Sequence, residues 1–401
     1  MKSHHILVIT IMILLISITY IKGECKNGYE ENGYCTCNSG YEGKNCEYKS
    51  KGTLCREKFK TYINVGYQRS RFNAIIYNGS IYMHGGLSVD STKIGVYDIK
   101  TNTYNDYDTS LHRVEFVSVM YNHHIFIHGG YNGVPTLQKT TFKMDLRGPL
   151  TSWTYLVDGP VRSGHRAALN GTYMYFYGGV MSGVLRNEYW RVNLNSSTPV
   201  YENMTQVGYI ALTKSCTTYS KDKFYIFGGL SPGGDLGDLR AIGNDLQMTI
   251  LATRGKKPAA RHFASCVKWN DRWYLGHGTI AGAGVTFNDL FRYDFELNHF
   301  SDLSSNFTSQ RTTMGAAMAA DDHTLYIIKG EANFNGARYS DLVMIDLEDC
   351  SCKVGYTGEF CDNTDCSKMI NTCGNYGKCD TKDHCECDDD YNIHPTCSYR
   401  T

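Results

Sequence analysis

The chain has 401 residues, with 40 acidic and 40 basic side chains and 42% hydrophobic residues, enough for one large domain with appendages. With zero net charge it lacks the basic surface that nucleic acids demand, so no nucleic-acid partner is expected. Its sixteen cysteines, an even number, point to an oxidising compartment.

Residues 1–23 read as a secretory signal peptide. Lys2, His4 and His5 precede an apolar run from Ile6 to Ile16, interrupted only by Thr10. The segment ends Ile21-Lys22-Gly23, with a small residue before Glu24. The run is short for a bilayer, which argues against an uncleaved anchor. No second hydrophobic span follows, so the mature chain is expected to be secreted and to have no membrane span. Residues 24–49 then carry Cys35-Thr-Cys37-Asn-Ser-Gly40-Tyr41-Glu-Gly43-Lys-Asn-Cys46, preceded by Cys25. A linker, 50–59, holds Cys55.

From residue 60 to 349 the chain repeats. Ile81-Tyr82-Met83-His84-Gly85-Gly86 returns as Ile125-Phe126-Ile127-His128-Gly129-Gly130, as Met174-Tyr175-Phe176-Tyr177-Gly178-Gly179 and as Phe224-Tyr225-Ile226-Phe227-Gly228-Gly229. Worn copies end at Gly278 and Gly330. The last glycines are 44, 49, 50, 49 and 52 residues apart, and the second position is aromatic in all six copies. A short apolar run into glycine at this period marks a kelch-type blade. The fold class is therefore all-β: a six-bladed propeller, which must close into a ring because each blade hides its apolar faces only against its neighbours. The sixth blade meets Cys350 before any fourth strand. Tyr62, nine residues before Arg71 as Tyr104 is before Arg113, behaves like a fourth strand with no blade in front of it. Residues near 60–66 are expected to complete blade six and remove an exposed edge.

The twelve-residue cysteine frame comes back at 350–362 as Cys350-Ser-Cys352-Lys-Val-Gly355-Tyr356-Thr-Gly358-Glu-Phe-Cys361. Cys366, Cys373, Cys379, Cys385, Cys387 and Cys397 follow within 363–401. Pieces this small have little core and need cross-links. Both frames look like the C-terminal part of an EGF-like module. The last segment resembles a whole module, although its third gap is short and it lacks the Gly-Tyr-x-Gly turn. The resemblance implies disulfides Cys25–Cys35, Cys37–Cys46, Cys352–Cys361, Cys366–Cys379, Cys373–Cys385 and Cys387–Cys397. Cys350 then has no upstream partner and Cys55 is left over; both lie just outside the strands expected to meet in blade six, so they are paired. Cys216 and Cys266 hold near-equivalent places in the first strands of blades four and five. They either clip those blades together or stay as two buried thiols, depending on how far apart the strands stand. Asp362 and Asp365 suggest an EGF-type calcium site, but the pattern is incomplete and no tight site or other cofactor is expected.

Sequons give the disk a direction. Asn78, Asn170 and Asn195 fall in turns that share one face of an up-and-down ring; Asn203 lies near a fourth strand and Asn306 in a loop of the opposite face. That opposite face also carries the connections after the glycine pairs, among them 231–237, 280–284 and 331–338, long and unlike one another, as binding loops tend to be. Arg71, Arg113, Arg162, Arg261 and Arg311 stand at blade starts on the same side. They are the candidate ligand contacts, able to fork onto an acidic or sugar ligand, although a recurrent scaffold role fits most of them better.

An EGF-like piece, a six-fold kelch ring and further EGF-like pieces together resemble the attractin and multiple-EGF-kelch family of extracellular proteins, over about residues 25–361. The resemblance implies a secreted binding or adhesion protein that recognises an extracellular protein or glycan, without catalysis. Two alternatives stand beside it. Some kelch-like propellers are copper radical oxidases, which need two histidines, a tyrosine and a tyrosine bonded to cysteine; His84 and His128, next to glycine pairs, read instead as packed core. The other is a structural component of the extracellular matrix.

Overall fold

The computed structural model describes residues 58–346, apart from 133, 270, 297, 305–312, 322–323 and 335, and several short strands on either side. The chain divides into two compact units, Leu54–Ser351, and Met1–Thr53 with Cys352–Thr401. Within the latter, Gly28–Glu31 pairs with Tyr34–Cys37, Tyr41–Glu42 with Tyr48–Lys49, Tyr356–Thr357 with Asn363–Thr364, and Gly377–Cys379 with Cys385–Cys387. The signal peptide, the calcium question, Arg311, Asn306 and every expected disulfide other than Cys216–Cys266 lie outside the described residues. No helix among the described residues is long and apolar enough to cross a membrane.

The larger unit is a six-bladed propeller. Each blade is a four-stranded antiparallel sheet, and in the first five the strands follow chain order; blade one runs Asn73–Tyr77, Ser80–His84, Lys93–Asp98 and Thr103–Asp108. The first strands, from Asn73–Tyr77 round to Ala317–Ala320, touch one another around the ring. Second strands such as Lys223–Phe227 and Thr324–Ile328 bury four consecutive residues. A blade sandwiched between two neighbours has no wet face there, so the alternation of a one-sided strand is lost. Fourth strands lie at the rim and return to mostly exposed residues, as in Thr103–Asp108. The last blade takes its fourth strand from the N-terminal side: Lys58–Asn64 pairs antiparallel with Asp341–Asp346. The ring thus has no open sheet edge between first and last blades.

The glycine pairs hold the blades together. In each blade the second glycine donates its N–H to the carbonyl that opens the next blade: Gly86 to Arg113, Gly130 to Arg162, Gly179 to Leu212, Gly229 to Arg261, Gly278 to Thr313 and Gly330 to Arg69, at 2.7 to 2.9 Å. These glycines have φ between 84° and 107°, and a Cβ on Gly86 would meet the Ser70 carbonyl at 2.5 Å. Positive φ and backbone approach together explain the residue type. In the two worn copies the first glycine is replaced by His277 and Lys329, at φ 59° and 54°.

Candidate functional site at the glycine-pair face

Every first strand starts at one face of the disk and every second strand returns to it. The connections after second strands and between blades therefore share that face, and the tight turns share the other. Asn78, at φ 47°, Asn170 and Asn195 lie at tight turns. Asn203 ends the fourth strand Tyr201–Asn203 and so points chain direction toward the glycine-pair face.

At the centre of that face one residue from each blade forms a closed ring. Arg71 donates its N–H to Gly315, Glu115 to Arg71, Gly164 to Glu115, Lys214 to Gly164, Phe263 to Lys214 and Gly315 to Phe263, at 2.7 to 3.4 Å. All six are left-handed, with φ between 52° and 65°. Four are not glycine, and a non-glycine left-handed residue persists only where its surroundings over-determine it. Their side chains converge. Arg71 pairs with Glu331 at 2.8 Å and Glu115 at 3.4 Å, and Lys214 lies 3.8 Å from Glu115. Arg71 and Lys214 sit 5.1 and 4.4 Å from the centre of the Phe263 ring, and Phe334 covers Arg71 at 4.5 Å. Burial pushes the Lys214 amine down, against the pull of Glu115. At the margin, His262 Nδ1 meets Asp235 Oδ1 at 2.6 Å while Asp235 Oδ2 accepts the Ala281 N–H at 2.6 Å. The Glu115 and Glu331 carboxylates are buried, so the cluster is a paired plug over the axis.

The connections around this plug are ordered by their own pairing. Tyr131–Asn132 pairs with Val134–Leu137, Val180–Met181 with Val184–Leu185, and Leu230–Ser231 with Gly234–Asp235. Their tips, and the joins between blades, carry Val89, Val184, Val207, Val285 and Phe334, five of the nine exposed large hydrophobic side chains among the described residues.

The arginines do not act as one set. The bridges Ser70–Leu87, Val114–Tyr131, Ser163–Val180 and His262–Thr279 make Arg69, not Arg71, the equivalent of Arg113, Arg162 and Arg261; Met314–Glu331 puts Thr313 in that place in blade six. Arg69 donates to the Gly85 carbonyl at 2.7 Å, Arg113 to Thr140 Oγ1 at 3.0 Å, and Arg261 to both Asp289 oxygens at 2.5 and 2.7 Å. Arg162 pairs with Glu188 at 2.8 Å. All four are buried and tie the start of a blade to that blade's own later residues. Arg113, Arg162 and Arg261 are therefore spent on scaffold. Arg71 belongs to the central plug.

A scan against protein-family models matches residues 118–330, just over half of the chain, to the KLHDC2/KLHL20/DRC7 Kelch-repeats domain. The chain belongs to the kelch-repeat family. The match runs from the first strand of blade two to the last glycine of blade six. No curated protein matches it. Among solved structures it is similar to one titled "Structure of YjhT", at 12% identity and a TM-score of 0.58, covering 70% of this chain and 96% of that one; the likeness is one of fold alone.

Behind the plug this kelch ring encloses a channel of about 490 Å³ lined by first strands of all six blades, with Arg166 in its wall. Cys216 and Cys266 form a disulfide between the adjacent first strands of blades four and five, with their Cα atoms 6.0 Å apart, inside the usual range for such a bridge. His84 and His128 are buried, each near pKa 3 through loss of solvation. The His128 ring packs on Tyr201 and Phe176, and His84 on Phe116 and Trp153.

Proposed function

We propose that this kelch protein is a secreted recognition module that binds an extracellular protein through its glycine-pair face and catalyses no reaction. The observation that carries this is the gathering of Val89, Val184, Val207, Val285 and Phe334 on the connections of one face. Exposed apolar side chains rimming a charged centre suit a protein interface. A glycan ligand is the weaker reading, because Arg71, Glu115, Lys214 and Glu331 already satisfy one another and leave few free forks for sugar hydroxyls. An oxidase of the copper radical type would need a tyrosine–cysteine bond, and Cys216 and Cys266 are joined to each other. The flanking cysteine-rich segments then serve as EGF-like spacers, the arrangement that the resemblance to the attractin and multiple-EGF-kelch family implies.

The test is saturation binding of residues 24–401, produced through the secretory route, to cells and matrix of the source tissue. Saturable binding that survives competition by added free sugars, with no self-association, supports the reading. Absence of saturable binding contradicts it, and concentration-dependent self-assembly would move the protein to the structural matrix class.

A further inference from the structure

On the outer side of the ring, between blades two and three, a groove of about 400 Å³ is lined by Val157, Pro160, Trp190, Pro199, Val200 and Tyr201. The Trp190 indole Nε1 is buried there without a hydrogen-bond partner. Buried indole N–H groups ordinarily find one; the Asp158 carboxylate, which also lines the groove, is paired with Lys139 at 2.8 Å. Directly across the sheet from Trp190, in register, stands Asn203. Cross-strand partners project from the same side of a sheet, about 5 Å apart, and Asn203 is exposed.

Asn203 opens the sequon Asn203-Met204-Thr205, and its amide is held in one orientation. The Thr205 N–H donates to Asn203 Oδ1 at 3.0 Å. The Thr205 hydroxyl donates to the same oxygen at 2.5 Å while accepting the Tyr189 N–H at 2.9 Å. Because one of those partners is a backbone N–H, the acceptor atom must be the oxygen. Nδ2, the atom that carries an N-linked sugar, is left over.

We propose that an N-linked glycan on Asn203 is the occupant of this groove. Its first N-acetylglucosamine lies with its C–H face against the Trp190 indole. The groove is thus covered by the chain's own modification. Asn170 likewise has Tyr173 opposite it in register; the partner of Asn203, Trp190, lines a groove. The inference rests on passage through the secretory route, which belongs to the proposed function.

The experiment separates the two. The full chain is made in a eukaryotic secretory host twice, behind its own leader and behind a foreign one, so that sequon use is tested even where the own leader fails. Glycopeptide mass spectrometry reads occupancy. Indole ¹⁵N–¹H spectra, assigned with Trp190→Phe, read the Trp190 N–H. Asn203→Asp is the unglycosylated comparison, because its carboxylate still accepts from Thr205. Expected are occupancy of Asn203, an indole resonance that shifts and exchanges more slowly with solvent than in Asn203→Asp, and a Tm a few degrees higher than in Asn203→Asp, a gain that vanishes in the Trp190→Phe background. An empty Asn203 beside filled Asn78 or Asn170 would overturn the proposal, as would a filled Asn203 with an unchanged indole resonance and Tm. A peptide in the groove of Asn203→Asp, seen as the same indole shift on adding proline-rich peptide to it but not to the glycoprotein, supports the glycan as the native cover. Failure of the own leader alone, with Asn203 filled and docked behind the foreign one, would count against secretion and leave the groove assignment standing.

Discussion

At the scale of single residues, several side chains sit where their ordinary ionisation is suppressed. His84 and His128 are buried neutral with pKa near 3, chiefly through lost solvation. The folded state thus favours the neutral ring. Their contribution is complete above the unfolded value of about 6.5 and is lost as pH falls toward 3, at about 1.4 kcal/mol per pH unit for each ring. Urea midpoints from pH 7 to pH 4 should decline less steeply in His84→Phe than in the wild type; parallel curves would contradict the burial argument. Lys329 is the basic counterpart, lowered to about 7 by burial first and by Arg69 second, with its ammonium donating to the Tyr67 carbonyl at 2.6 Å. Here stability is full above the unfolded pKa of about 10.5 and falls as pH drops toward 7. Compared with Lys329→Met, the wild type should gain stability between pH 7 and pH 10. The glycines make a third prediction. Gly79 and Gly86 both have positive φ, but a Cβ on Gly79 meets nothing within 4 Å while one on Gly86 meets the Ser70 carbonyl at 2.5 Å. Gly79→Ala should cost about 1 kcal/mol from conformation alone, and Gly86→Ala roughly 2 kcal/mol or more, both read as shifts in the denaturation midpoint.

At the scale of elements, the blades are bound to one another by backbone and by one covalent clip. The Cys216–Cys266 bridge closes a loop of 50 residues. Its removal in the Cys216→Ala, Cys266→Ala double variant should lower stability by about 2–4 kcal/mol on the chain-entropy view, checked by urea unfolding. What the amino-acid sequence makes legible is what each blade needs locally. A buried second strand needs four apolar residues in a row, and the approach of the next blade needs glycine, so the repeat is visible even where His277 and Lys329 have replaced the first glycine. The signal of the completing strand Lys58–Asn64 lies in a count, a blade short of one strand and a stray aromatic ahead of blade one. The arginine register is not legible that way. Arg69 and Arg71 stand two residues apart, and only the pairing of Ser70 with Leu87 separates them. The central plug is harder still. Arg71, Glu115, Lys214 and Phe263 hold one position in four blades and share no side-chain chemistry. They share only a left-handed backbone, which residue type does not announce. The small hairpins of the glycine-pair face had a usable signal in Asn132-Gly133, Ser182-Gly183 and Gly233-Gly234, dipeptides that favour tight reversal.

At the scale of the whole molecule, the two faces differ in a way that follows from chain direction. One holds tight turns and three sequons. The other holds the blade joins, the glycine-pair connections, the paired plug and five of the nine exposed large hydrophobic side chains among the described residues. A kelch ring whose core is tied by two six-membered hydrogen-bond circuits, glycine to blade start and left-handed residue to left-handed residue, is a rigid support, and recognition on rigid scaffolds falls to the connections. The account rests on that asymmetry, and a binding comparison between faces tests it most directly. A variant carrying Val89→Ser, Val285→Ser and Phe334→Ser and a second carrying Tyr77→Ser and Tyr121→Ser on the turn face would be run beside the wild type in one saturation-binding series, with equal Tm as the condition for comparison. The account predicts at least a tenfold loss of affinity in the first and wild-type affinity in the second. Equal binding by all three, or loss confined to the turn-face variant, would contradict it.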